Sequence, residues 1–366
     1  MAIELSTLAD GGQSPLDVGG EVARFLNGAA RTLDLALYDV RFETSAGGLV
    51  LAALLAAHQR GVEVRLLYNV DHPGPIPVPP PPETVPAAIE ALPVATRQIA
   101  GIPDLMHHKY VVRDGSAVWT GSTNWTDDSW TRQENVIVRI DSEPLAYAFT
   151  LNFEELWEGT PVESTGKVEP RPVRTDGVEL RAWFCPGFGE ELSHRIAKHL
   201  GRARRRIRIA SPVLTSGPIL GTLVEIVTEH RCDLAGVVDD TQVDDVFRQW
   251  RTNGVSAWKI PLLRTVLDGA PWSGKASIPW RPDSVHDFMH AKVVVADDVA
   301  FVGSFNLSRS GEQNAENVVE IHDAGIAERL AGYIDEVRAR YPAATPPGDG
   351  ARAPRSRAGE GSRRRR

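Results

Sequence analysis

The sequence predicts an α/β fold written twice, and three observations predict it. A strand–helix–strand order occurs once in each half, each copy runs through an irregular loop into the same short motif, and each copy closes with a helix. In the first half, 33–38 (LDLALY) reads as a strand. The stretch 47–60 reads as a helix, with Leu49, Leu51, Leu54, Leu55 and His58 set among alanines, and 62–69 (VEVRLLYN) as a second strand. In the second half, the order returns as a strand at 207–211, a helix at 219–230 and a strand at 232–239. Strand–helix–strand at this spacing implies a parallel pair buried on both faces.

The connecting loops differ in character. Residues 72–86 (HPGPIPVPPPPETVP) are so rich in proline that only extended or polyproline backbone fits. The second loop, 268–286, is read as irregular and carries Trp272 and Trp280, either of which suits a wedge into a membrane, a stacking group for substrate, or simple packing of the loop. The closing helices are 144–159 and 324–341. Domain boundaries follow: a first repeat over 1–165, a link over 166–176, a second repeat over 177–342, and a disordered basic tail over 343–366.

Composition narrows the function classes. With 366 residues, 42% hydrophobic and 24% charged, the chain has the profile of a soluble globular protein. It contains no apolar run of the ~18 residues a spanning helix needs, and its first residues lack a basic-then-apolar leader. Two cysteines, Cys185 and Cys232, are too few for a disulfide framework or a four-cysteine zinc site and suit a reducing cytoplasm, the expected location. Residues 351–366 hold seven Arg and one Glu, so this segment carries +6 and leaves −14 on the rest of a chain whose net charge is −8. Such a tail suits peripheral contact with nucleic acid or an anionic membrane, or plain solvation.

The chemistry lies in the paired motif. The first copy supplies His107, Lys109 and Asp114, then Gly121-Ser122-Thr123-Asn124 and Glu134. The second supplies His290, Lys292 and Asp297, then Gly303-Ser304-Phe305-Asn306 and Glu316. His-to-Asp spacing is seven in both copies, Gly-to-Glu spacing is thirteen in both, and both glutamates open the tripeptide Glu-Asn-Val. The β-branched and aromatic runs after each lysine put the motif on a strand, where residues i and i+2 share a face. His107 and Lys109 therefore point into one space, as do His290 and Lys292. Ser122 with Asn124, and Ser304 with Asn306, repeat that geometry and complete a set of donors for phosphate oxygens. Two imidazoles permit a two-step displacement in which one ring attacks phosphorus and the other protonates the leaving oxygen. Glu134 and Glu316 suit the fixing of each ring's tautomer, and Asp114 and Asp297 suit a structural salt bridge. Strand alternation turns His108 to the opposite face, to packing or hydrogen bonding. The His286–His290 spacing permits zinc, but no matching ligand set accompanies it, so no metal and no cofactor is expected.

Together the duplicated motif, the GSxN elements and the downstream acids resemble the phospholipase D superfamily over roughly residues 20–340. That resemblance implies a duplicated α/β/α sandwich with pseudo-twofold symmetry and an active site at the interface of the repeats. It also implies metal-independent cleavage of a phosphodiester through a phosphohistidine, with a phospholipid as nominal substrate or nucleic acid as the alternative. By analogy with many members, His107 is the nucleophile and His290 the acid. The first copy has one more residue than the second between the Asp and the Gly-Ser.

Overall fold

Alternation of short apolar strands with helices builds two mixed sheets in the computed structural model, which describes residues 2–72, 81–101, 104–281 and 283–345. The first sheet uses β1 (Ile3–Leu8), β2 (Thr32–Leu37), β3 (Glu63–Val70), β4 (Ala95–Ala100), β5 (Lys109–Arg113), β6 (Ala117–Gly121) and β7 (Asn135–Asp141). The second uses β8 (Pro172–Thr175), β9 (Val178–Phe184), β10 (Arg206–Ala210), β11 (Asp233–Asp239), β12 (Trp272–Lys275), β13 (Val293–Ala296), β14 (Val299–Gly303) and β15 (Asn317–His322). Strand order is β1-β7-β6-β5-β2-β3-β4 in one and β12-β11-β10-β13-β14-β15-β9-β8 in the other. Read from β9, the second sheet repeats the first strand for strand, with β8 as an added edge. In each, three strands run parallel beside an antiparallel meander.

The layers follow from which residues are apolar. One core joins the halves. It takes Tyr110 and Val138 from the first sheet and Phe184 and Val319 from the second. Phe149 and Phe153 of helix Glu143–Trp157 join them, as do Leu330 and Ile334 of helix Ala324–Arg340. Both helices start on side-chain caps, Ser142 accepting from Leu145 N at 3.4 Å and Asp323 from Ile326 N at 2.7 Å. Two further cores back the outer faces. Helices Pro15–Asn27 and Ser45–Gln59 cover the first sheet; Gly189–Arg202, Gly217–Glu229, Asp240–Asn253 and Lys259–Asp268 cover the second.

Several sequence expectations change. Pro172–Thr175, placed in the link, is a strand of the second sheet, pairing Val173 with Leu180. The second loop is not wholly irregular: Trp272 sits in β12, 3% exposed, and is core rather than wedge. Residues 343–345, placed in the tail, continue onto the second sheet, where Gly274 N donates to Pro342 O at 2.9 Å and Ala344 N to Trp272 O at 2.9 Å. Most of the proline-rich loop (73–80) and residues 346–366, including the Arg-rich stretch, lie outside the described residues. Among the described residues, no helix is long and apolar enough to cross a membrane.

Candidate active site

Each histidine sits just before a strand, in an extended segment that pairs with the other half. Lys109 opens β5 and Lys292 immediately precedes β13, so the motif straddles the strand start rather than lying within it. Met106 N donates to Asn69 Oδ1 at 2.9 Å, and Met289 N to Asp239 Oδ2 at 3.0 Å. These bonds, at the ends of β3 and β11, seat the two segments alike. His107 N then donates to Ala315 O at 2.9 Å, and His290 N to Glu134 O at 3.2 Å. Each histidine backbone is thus bridged to the opposite half, at the residue just before the one that meets its ring.

At the rings the two halves part. His107 Nδ1 lies 2.8 and 2.9 Å from the Glu316 carboxylate oxygens, both groups being buried. His290 Nδ1 lies 3.1 Å from Asn135 Oδ1. Glu134, expected at a ring, is displaced by one residue. Ser122 N bonds Val136 O, whereas Ser304 N bonds Asn317 O, so Asn135 occupies in the first half the place of Glu316 in the second. A one-residue slip turns alternate side chains to opposite faces. Glu134 consequently points away from the ring. It accepts from Lys275 Nζ at 2.9 Å, from Asp10 N at 3.3 Å and from Tyr341 Oη. The equal Gly-to-Glu spacing in sequence conceals this slip.

The lysines fold back identically: Lys109 Nζ donates to His107 O at 2.7 Å and Lys292 Nζ to His290 O at 2.5 Å. Ser122 Oγ donates to Asn135 Oδ1 at 2.7 Å, and Ser304 Oγ accepts from Asn317 N at 3.1 Å. Asn124 and Asn306 each keep a buried side-chain oxygen with no partner among the described residues. Both copies therefore repeat one arrangement of His, Lys and Ser, with the Ser304 carbonyl facing the His107 ring and the Ser122 carbonyl facing that of His290.

With that geometry in view, known proteins can be set beside the chain. A family model described as "Cardiolipin synthase, PLD-like domain" matches residues 22–157 and 196–338. The chain belongs to this phospholipase D-like family. It is 32% identical over 136 residues to a mitochondrial cardiolipin hydrolase of Xenopus laevis, covering 36% of this chain and 58% of that protein. It is 29% identical over 201 residues to the human protein of that name, covering 49% and 71%. In fold, it resembles a phosphatidylserine synthase of Haemophilus influenzae Rd KW20, with a TM-score of 0.61 at 12% identity over 93% of this chain and 85% of that one. The chain thus spans little more than half the length of the Xenopus laevis relative it matches.

Burial dominates the electrostatics of the site. Burial pushes the Lys109 ammonium down to about 7 and Lys292 well below its ordinary value. Burial, then the lysines, hold both histidines well below theirs. Burial raises Glu316 to about 7 against the pull of Lys109. Four groups that gain positive charge on protonation are thus gathered at one site, each held toward its neutral form by burial.

The motif aspartates are held chiefly by backbone amides; the expected salt bridge is present at Asp297, with Arg205 Nε at 4.0 Å. Asp114 accepts from Ala30, Arg31 and Thr32 N at 2.6–3.2 Å, and Asp297 from Arg204, Arg205 and Arg206 N at 2.9–3.1 Å. Each thereby ties a β-hairpin turn to the chain entering β2 or β10. Both adopt positive φ, 55° and 52°, which aspartate tolerates. The extra residue of the first copy is absorbed here, with three residues between Arg113 and Ala117 against two between Ala296 and Val299. Burial raises each carboxyl, but the backbone donors outweigh it and hold both below the usual range. A depressed carboxyl stabilises the fold above its unfolded value near 4, and that contribution fades as pH falls through the depressed native value. Asp114→Ala and Asp297→Ala should each cost about 1–3 kcal/mol at pH 7 by denaturant titration, the deficit shrinking in acid. An unchanged deficit at pH 3 would refute this account.

Several site residues escape sequence reasoning. Tyr38 meets His107 edge-on at 4.7 Å, and Lys109 Nζ lies 4.8 Å from its ring. His108 packs as expected, fully buried against Tyr110 at 5.0 Å, and burial lowers it to about 3. His286 does not join His290; its Nε2 faces Arg281 O at 3.0 Å, and its ring lies between Trp280 and Phe288, at 6.4 and 5.8 Å and 14° and 9°.

Proposed function

We propose that this chain is a phosphodiesterase of the phospholipase D type that works at the contact between its halves, with a phospholipid as nominal substrate. The observation that carries this is the pair of histidines, His107 buried and His290 half-buried, each bridged to the opposite half, each anchored through Nδ1 and each beside a lysine. Lys109, Lys292, Asn124 and Asn306 hold the non-bridging phosphate oxygens, with Ser122 and Ser304 supporting the loops that present them. Their donors strengthen as charge grows on those oxygens. His107 Nε2 bonds to phosphorus while the bond from phosphorus to the leaving oxygen breaks, and His290 passes its proton to that oxygen. In the second half, His290 takes a proton from water or an alcohol, whose oxygen bonds to phosphorus as the phosphorus–nitrogen bond breaks. The chemistry requires no metal and leaves hydrolysis or transfer to the acceptor. Family membership and the relatives named cardiolipin hydrolase support the class.

A second reading, cleavage of nucleic acid by the same histidines, is favoured by one observation. The near-parallel rings of Trp280, His286 and Phe288 end two residues from His290. Trp280 and Phe288 also line a cavity of about 480 Å³ with Val213, Gln242 and Val246. Stacked faces suit a base. The test is to incubate the purified full chain in excess chelator with cardiolipin or phosphatidylcholine vesicles and, separately, with single-stranded DNA. Release of phosphatidic acid with intact DNA is the expected result. Cut DNA with intact lipid would select the second reading, and loss of all activity in chelator would overturn the two-histidine mechanism.

A further inference from the structure

The two histidines are seated alike by their backbones and differently by their rings, and the difference lies in a single side chain. Where Glu316 offers His107 a carboxylate, Asn135 offers His290 a neutral amide oxygen. That amide cannot turn over freely. Its Nδ2 donates to Ser129 O at 3.0 Å and Ser129 Oγ at 3.2 Å, and its Oδ1 already accepts from Ser122 Oγ at 2.7 Å. With the nitrogen committed to a carbonyl, the oxygen must face the ring, and an oxygen facing Nδ1 requires that Nδ1 carry the proton. The Nε2 lone pair of His290 is thereby directed away from Asn135.

We propose that Asn135 is the positioning residue of His290 and sets the division of labour between the rings: it fixes the Nδ1–H tautomer as a carboxylate would, but without a charge. The proposal rests on the phosphodiesterase reading. A ring that bonds covalently to phosphorus becomes cationic for the life of the intermediate, and the carboxylate of Glu316 stabilises that cation on His107. A ring that gives and takes a proton must release it easily, and a neutral partner keeps it from being held too tightly. The slip that removes Glu134 from His290 thus makes the site chemically asymmetric.

The charged and titratable groups around His290 are Lys292 beside it, Lys109 and His107 from the first half, Glu316 on His107, and Asp239 on Met289 N. The Ser122 carbonyl also favours the protonated ring, as Ser304's does for His107, so it does not distinguish the two. None of these groups is altered by a change at 135.

The experiment uses bis(p-nitrophenyl) phosphate, whose leaving group departs without a proton, so that turnover needs His290 chiefly as the base for water. The acid limb of its kcat–pH profile then reports His290. Asn135→Asp should move that limb up by about one unit or more, because an opposite charge at hydrogen-bond distance favours the protonated ring. Asn135→Ala should lower kcat at every pH without that upward move. A limb unmoved in a folded Asn135→Asp protein would overturn the proposal. Should Asn135→Asp not fold, long-range ¹⁵N–¹H spectra of the wild-type protein decide, with the His290 signals assigned by their loss in His290→Ala. Nδ1–H is expected, and Nε2–H would refute the role. A wild-type protein inactive on every diester would sink the phosphodiesterase reading itself, while the tautomer would still be read.

Discussion

Alanine at His107 should abolish turnover, with a fall in kcat/KM on the order of 10⁴-fold or more, the scale at which loss of a nucleophile registers in enzymes that pass through a covalent intermediate. The proposed mechanism gives the larger share of chemistry to this ring. Its Nδ1 is held by Glu316 at 2.8 Å, its backbone by Ala315 O, and its edge by Tyr38. His290→Ala should match it on substrates with poor leaving groups, which need a proton. On an activated diester it should keep a single burst of product release, because attack by His107 does not then depend on the acid. Burst kinetics of the two variants check this: no burst for His107→Ala, one equivalent for His290→Ala. The converse pattern would exchange the roles.

The second large effect falls on stability. Glu134 is wholly buried and gathers the N-terminal loop, the second sheet and the end of the last helix. Its carboxylate accepts from Asp10 N and from Lys275 Nζ, whose side chain is 5% exposed, and it meets Tyr341 Oη. Removing Glu134 leaves the buried Lys275 Nζ with only the half-buried Asp10 carboxylate at 3.2 Å and the Arg132 carbonyl at 2.9 Å, and leaves Asp10 N without its acceptor. Glu134→Ala should therefore cost about 3–5 kcal/mol of unfolding free energy, read from denaturant titration. Replacing both partners, Glu134→Leu with Lys275→Met, should restore much of it, because the penalty arises from the under-paired charge. A loss below about 1 kcal/mol for Glu134→Ala would mean that the cluster is not the clamp described here.

Legibility in the sequence followed the range of each interaction. The parallel strands, their helices and the closing helices were readable because local periodicity encodes burial, and the duplicated motif because matched spacing of His, Lys, Ser and Asn is improbable without a shared geometry. The strand β1 and helix Pro15–Asn27 were not read, nor were β4, β9 and the paired outer helices of the second half, all segments with mixed or short apolar patterns. At the site the errors were of register. Glu134 and Glu316 look equivalent in Glu-Asn-Val, but equivalence is decided by which carbonyl Ser122 and Ser304 bond, and sheet register across a long connection leaves no mark in spacing. Lys275 and Tyr341 belong to the same lesson, since each reaches Glu134 over more than 140 residues. The main partners of the two aspartates, backbone amides of the chain entering β2 and β10, carry no side-chain signature to find.

The central claim is that His107 forms the covalent intermediate and that His290 serves it. It is tested most directly by acid-free quenching of His290→Ala during reaction with bis(p-nitrophenyl) phosphate, followed by mass spectrometry of the peptides around residues 107 and 290. The account predicts a nitrophenyl phosphoryl adduct on His107. An adduct at residues other than His107, or none while nitrophenolate is still released, would contradict it.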